Sequence, residues 1–291
     1  MAIKTIGANQ LVEEGLARHL DSLSNILTAD CLTYVGPIIF GVDDTIRDAV
    51  EAIEPKRSKL VFLLETAGGF AETARRIADV LRHHYNTVDF LVPSFAMSAG
   101  TVLVMSGDAI HMDYYSVLGP IDPQIEDKDG KPVPALGYLI RYEELLKKAK
   151  DGQITTAEME ILINFDQIRL YAYEQARDLS RSLLEEWLVK YKFKDWDVTE
   201  SRGIKVTEEM KRERAKEIAD ALNDVRRWNS HGIGINIERL WRELKLKVDD
   251  FGQNAQLNDA VRQYHRLFID YMTKMNHESV IHTKQGYMAI F

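Results

Sequence analysis

The chain holds one cysteine, Cys31, among 291 residues. An internal disulfide is therefore excluded, and stability must come from a packed core, for which 45% apolar residues are ample. No apolar stretch approaches the roughly 20 residues that span a bilayer. The opening Met1-Ala2-Ile3-Lys4-Thr5-Ile6-Gly7 is too polar for a secretory signal, so a cytoplasmic protein without a transmembrane segment is expected. An excess of basic charge is also missing. Lys and Arg number 37 against 45 Asp and Glu, and the net charge of -8 argues against a nucleic-acid surface. The one basic cluster, Lys211-Arg212-Glu213-Arg214, is interrupted by a glutamate within a helical pattern and reads as a solvated face. No internal repeat is visible. There is no His-Glu-x-x-His and no cysteine cluster, and the adjacent His83 and His84 cannot share one ligand position on a helix. No Gly-Lys-Ser or Gly-Lys-Thr follows the glycine-rich turn, so neither a metal nor a nucleotide cofactor is expected.

What the chain does have is a pair of small-residue turns, Glu65-Thr66-Ala67-Gly68-Gly69 and Ala96-Met97-Ser98-Ala99-Gly100-Thr101. Each follows an apolar strand-like run, Leu60–Leu64 and Val88–Val92, and each opens a segment of helical periodicity. The turns are expected side by side at one edge of a β-α-β unit. At the first, glycines let backbone NH groups approach a ligand with no Cβ in the way. At the second, Ser98 stands at a strand-to-helix turn, where unpaired NH groups favour developing negative charge. A hydroxyl beside a glycine backbone is the minimum equipment for acyl transfer, a nucleophile with an oxyanion hole.

Around these turns the periodicity predicts a helix over 9–28 with an apolar stripe at Leu11, Leu16, Leu20, Leu23 and Leu27, able to pack on the core or on another subunit. A β-like run covers Leu32–Ile39, and Asp43 and Asp44 can cap a helix ending before Pro55. The alternation of strand and helix over 60–125 predicts a parallel α/β core. Residues 126–134, charged and turn-rich, read as a surface flap. Beyond them almost everything reads as helix, with Thr155 and Glu158 forming a capping box. His111 falls within a strand pattern and reads as structural, and His231, beside a glycine, as a turn residue.

These residues resemble the ClpP/crotonase superfamily, and within it the serine peptidases of the signal peptide peptidase A (SppA) and serine dehydrogenase proteinase (SDH) type. The resemblance runs from Ser98 through Asp108 to His111 and on through Leu118-Gly119-Pro120-Ile121-Asp122-Pro123-Gln124, a run associated with the SDH branch. Leu246-Lys247-Val248-Asp249-Asp250-Phe251-Gly252 is similar to the closing pattern of the superfamily, with a lysine where an apolar residue is usual. The resemblance implies an α/β, ClpP/crotonase-like fold of repeated β-β-α units with a mostly helical C-terminal part. Its organisation would be an N-terminal helix over 1–29, the core with Ser98 over 30–135, and a helical part over 136–291 that completes the core and supplies oligomer contacts. It implies Ser98 as nucleophile, oxyanion donors on Gly69 and Ala99, and Gly68 as the residue that permits the turn. It also implies peptide or protein substrates and a homo-oligomer.

The resemblance leaves the base open. The Clp branch carries a histidine where this chain has Gly119-Pro120-Ile121-Asp122-Pro123. SppA-type enzymes use a lysine whose pKa is lowered by burial. By position Lys150 is the closest match, followed by Lys147, Lys148 and His231. Two other readings keep the fold: a scaffold or peptide-binding protein that has lost its base, and a crotonase-type enzyme acting on acyl-CoA thioesters.

Overall fold

The computed structural model describes residues 7–122, 124–126, 132–200, 203–228, 230 and 232–290. Helix α1 (Ala8–Leu27) leads into β1 (Asp30–Val35), and α2 (Val42–Glu51) connects that strand to β2 (Lys59–Glu65). Helix α3 (Ala71–His84) returns the chain to β3 (Thr87–Leu91), after which β4 (Phe95–Ala96) opens α4 (Ala99–Val104). Next come β5 (Ala109–Met112), β6 (Val117–Leu118), and an antiparallel pair, β7 (Gln124–Glu126) and β8 (Pro132–Pro134). The helical stretch holds α5 (Ala135–Lys150), α6 (Thr156–Ile163), α7 (Gln167–Trp187) with a π-helical turn at Leu188–Lys192, α8 (Glu208–Asn223) and α9 (Val225–Trp228). Beyond it lie β9 (Ile235–Asn236), α10 (Ile237–Arg242), β10 (Asp249–Asp250), α11 (Ala255–Lys274), β11 (Val280–Thr283) and β12 (Gly286–Ala289).

The main sheet has seven strands in the order β10-β5-β3-β2-β1-β11-β12. Strands β1, β2, β3 and β5 run parallel, with Leu32 against Phe62, Phe62 against Phe90 and Leu91 against His111. Residues 60–64 are buried on both faces, as a central parallel strand requires. One face, carrying Leu32, Phe62, Leu64 and Phe90, packs on residues of α2, α3, α4, α7 and α8. The other, carrying Cys31, Val61, Leu63 and Leu91, packs on α1 and α11. The result is a mixed α/β fold in three layers. The stripe of α1 faces this core: Leu16, Leu20 and Leu23 are buried, while Leu11 is exposed.

Two sequence expectations shift. The cap of α2 is Gly41 rather than an aspartate. Its positive φ of +92 makes the turn, and Asp43 sits in the first turn, accepting the Gly41 amide at 3.2 Å. The segment beyond 136 also supplies strands, because β10 pairs with β5, and β11 pairs antiparallel with β1 through Val35 and Val280. The flap is described only at its edges, β7 and β8; its residues 127–131 lie outside the described residues. The capping box at Thr155 and Glu158 forms as expected.

Candidate active site

The two small-residue turns meet beyond the end of β2. The Thr66 amide donates to the Phe95 carbonyl at 3.1 Å, and the Met97 amide donates to the Thr66 carbonyl at 2.9 Å. Strand β4 therefore runs beside the first turn and delivers Ser98 to the start of α4, where all six residues, Ala99 to Val104, are buried. Ser98 sits at φ 52, ψ -120, a conformation that L residues avoid. Such a residue costs on the order of 1–3 kcal/mol and persists only where its surroundings over-determine it. Here strand pairing holds it on one side and a buried helix on the other. Ser98 as a residue is half-buried at the turn.

The glycines of the first turn divide the work. A Cβ on Gly68 would lie 2.8 Å from both the Met97 carbonyl oxygen and the Ser98 Cβ, so only glycine lets the turns approach this closely. The Gly68 amide is taken by the Thr66 Oγ1 at 3.0 Å. The Gly69 amide bonds to none of the described residues, and its Cα presses so near Ile38 that a Cβ would lie 2.1 Å from the Ile38 oxygen. The Ala99 amide, first in its helix, has no intrahelical acceptor.

Thr101 ties the serine helix to its neighbours. Its hydroxyl lies 2.7 Å from the Ala96 carbonyl and 2.9 Å from the Gly119 carbonyl, and it accepts the Gly119 amide at 2.9 Å. Through this contact and the pairing of β4 with β6, the Leu118–Asp122 run lies against the serine turn. Asp122 is buried, and the Ile121 amide donates to the Leu222 carbonyl at 3.0 Å.

Lys147, Lys148 and Lys150 occupy the last turn of α5 with exposed side chains, and Lys148 is paired with Glu158 at 2.5 Å. His231 lies outside the described residues. His111 sits on β5 with Nε2 3.1 Å from Asp89. Burial raises the Asp89 pKa, but hydrogen bonds from His111 and Lys59 outweigh it and hold the carboxyl below its ordinary value. Among the described residues, no group of three or more His, Cys, Asp or Glu is arranged to hold a metal ion, and no helix is long and apolar enough to cross a membrane.

Several contacts around the turns had no sequence signal. Glu65 meets His265 of α11 at 2.6 Å, and Arg262, three residues earlier, pairs with the buried Asp113. Phe40 stacks on Phe70 beside Gly69.

Residues 18–199 match the family described as ClpP-like SDH-type serine proteinase. The chain belongs to that family. Two relatives from Methanocaldococcus jannaschii are uncharacterized proteins: MJ0137 is 31% identical over 163 residues, 50% of this chain and 55% of the relative, and MJ1495 is 28% identical over 154 residues, 51% and 50%. The chain thus spans about half the length of the curated relatives it matches. Among solved structures, a variant of the 1510-N membrane-bound stomatin-specific protease aligns at 11% identity with a TM-score of 0.42, covering 75% of this chain and 76% of that one. Membership in the SDH-type family accounts for the order of the motifs, from the glycine turn through Ser98 to the Gly119–Asp122 run.

Proposed function

We propose that this SDH-type chain is a serine peptidase that cleaves peptide bonds through an acyl-enzyme on Ser98. The observation that carries the reading is the strained Ser98 turn packed against Gly68, with the amides of the adjacent Gly69 and of Ala99 available as donors. In the reaction the Ser98 Oγ bonds to the substrate carbonyl carbon while its proton passes to a base. The two amides hold the oxyanion that forms. Collapse breaks the C–N bond as the base returns the proton to the leaving amine. Water then attacks the ester, releasing the carboxylate and restoring the hydroxyl.

Lys150 is the proposed base, with Lys147 and Lys148 behind it. An ammonium accepts no proton until burial or neighbouring charge lowers its pKa. Lys150 is exposed in the single chain, so the reading requires a surface that covers it in the working enzyme, and a second copy of the chain is the assigned cover.

A fluorophosphonate probe tests the nucleophile without a known substrate. Labelling of the wild-type chain, lost in Ser98→Ala and reduced at least about 100-fold in Lys150→Ala, is the expected result. Undiminished labelling of Ser98→Ala removes the nucleophile assignment. A wild-type chain that takes no label supports the scaffold reading instead.

A further inference from the structure

Two aromatic rings flank the proposed oxyanion turn, and the reaction above uses neither. Phe40 is 64% exposed and Phe70 46%, yet they stack with centroids 4.6 Å apart and planes at 22°. Neither belongs to the apolar clusters on the two faces of the sheet. Their placement is built by the backbone beneath them. The Ile38 amide donates to the Gly68 carbonyl at 2.8 Å, and the Phe70 amide donates to the Ile38 carbonyl at 2.8 Å. Gly69, having no Cβ, lets the Ile38 strand close on the turn. The Gly69 amide has no partner among the described residues, and the close approach of Ile38 brings Phe40 over Phe70.

Phe70 follows Gly69 directly, so its ring stands within about 10 Å of the Gly69 amide. Aromatic faces take further aromatic or apolar groups in offset or edge-on contact at centroid separations of about 4.5–7 Å. Rings held stacked in solvent, unused by the core and one residue from an oxyanion donor, are placed to be touched by whatever the donor holds.

We propose that the Phe40–Phe70 stack is a substrate subsite that takes a large apolar side chain, aromatic above all, within two residues of the scissile bond. The inference rests on the Ser98 reading, because the Gly69 amide marks where the scissile carbonyl sits. It assigns the substrate class as peptides bearing Phe, Tyr, Trp or Leu near the cut.

The test uses the full-length Ser98→Ala chain, which binds without turnover, and fluorescein-labelled Gly-Ala octapeptides carrying one Phe at each position in turn. Fluorescence polarisation should show at least one Phe position binding about tenfold tighter than the parent peptide, equivalent to about 1.4 kcal/mol. Adding Phe40→Ala or Phe70→Ala should bring that ratio close to one. Phe40→Leu and Phe70→Leu, safer for folding, should lower the preference for Phe over Leu. Equal affinity of all peptides, or a preference that survives both alanine substitutions, overturns the subsite. So does a change in the chain's assembled mass on Phe40→Ala without loss of preference, which would assign the rings to a contact between copies. Wild-type chain that takes no fluorophosphonate while the Phe preference holds would sink the peptidase reading and keep the ring site, so the two failures are distinguishable.

Discussion

His282 on β11 is fully buried, and burial lowers its pKa from the ordinary 6.5 to about 4. Its Nδ1 lies 2.8 Å from the Tyr264 hydroxyl, which is also 2.7 Å from the Thr33 Oγ1, while Nε2 has no partner among the described residues. With the Tyr264 proton assigned to Thr33, the neutral ring carries its hydrogen on Nδ1, and protonation would place an unpaired N–H at Nε2. The folded state therefore resists a proton that the unfolded chain accepts below pH 6.5. Unfolding free energy rises with pH wherever the unfolded state binds more protons. This contribution is full above pH 6.5 and is lost as pH falls toward about 4, a swing on the order of 3 kcal/mol. His282→Phe, which keeps a ring stacked on Tyr264, should unfold with less acid dependence. The measurement is urea unfolding of both chains at pH 7 and pH 5, where the variant should gain on the wild type by about 1–2 kcal/mol at the lower pH. A constant difference between the two chains at both pH values would refute the account.

Among the elements, β4, α4 and β6 are held as one unit by the hydroxyl of Thr101, which is fully buried and meets Ala96 and Gly119 from within the serine helix. Thr101→Val keeps the shape but removes the shorter acceptor of the Gly119 amide, leaving its bond to the Ala96 carbonyl at 3.3 Å. Losing a buried hydrogen bond costs about 0.5–1.5 kcal/mol, and fluorophosphonate labelling at Ser98 should slow because the turn loses its anchor. Chemical denaturation and labelling rate measure the two effects; a variant as stable and as fast as wild type would mean that helix packing alone sets the turn. This clamp illustrates where sequence reading stops. Strands β2 and β3 and helix α3 were legible because apolar runs and glycine punctuation are local signals. The same locality exposed Ser98, Gly68 and Gly69. Strands β4, β6 and β9, two residues each, have no period to read. Strand β11 pairs with β1 from the far side of the chain, where four apolar and polar residues after a long helix carry no sign of their partner. The Phe40–Phe70 stack and the Glu65–His265 contact join segments far apart in the chain, and only the fold brings them together.

At the scale of the whole molecule, an apolar surface on α6 and α7 has no cover among the described residues. Helix α6 has no buried residue, and Ile161, Ile163, Ile168 and Tyr171 are 48%, 75%, 83% and 64% exposed along α6 and the start of α7. Beneath them α5 and α7 share only a small cluster, Leu139 and Leu170 with Tyr138, Tyr142, Phe165 and Tyr173 around them. Apolar patches of this kind on a chain free in water mark contact sites. Because α1 spends its stripe on α11 and the sheet, the contact expected from both regions narrows to α6 and α7. Lys150 ends α5 just before this hairpin, so a second copy seated on the patch would also change the surroundings of the proposed base. Light scattering at micromolar concentration should give a multiple of 33.3 kDa. The double variant Ile163→Glu, Ile168→Glu should shift the mass toward one chain and reduce Ser98 labelling about tenfold or more, with wild-type labelling falling on dilution through the same transition. Full labelling of a chain that scatters as a monomer would show that the base is supplied within one copy and that the patch serves another purpose.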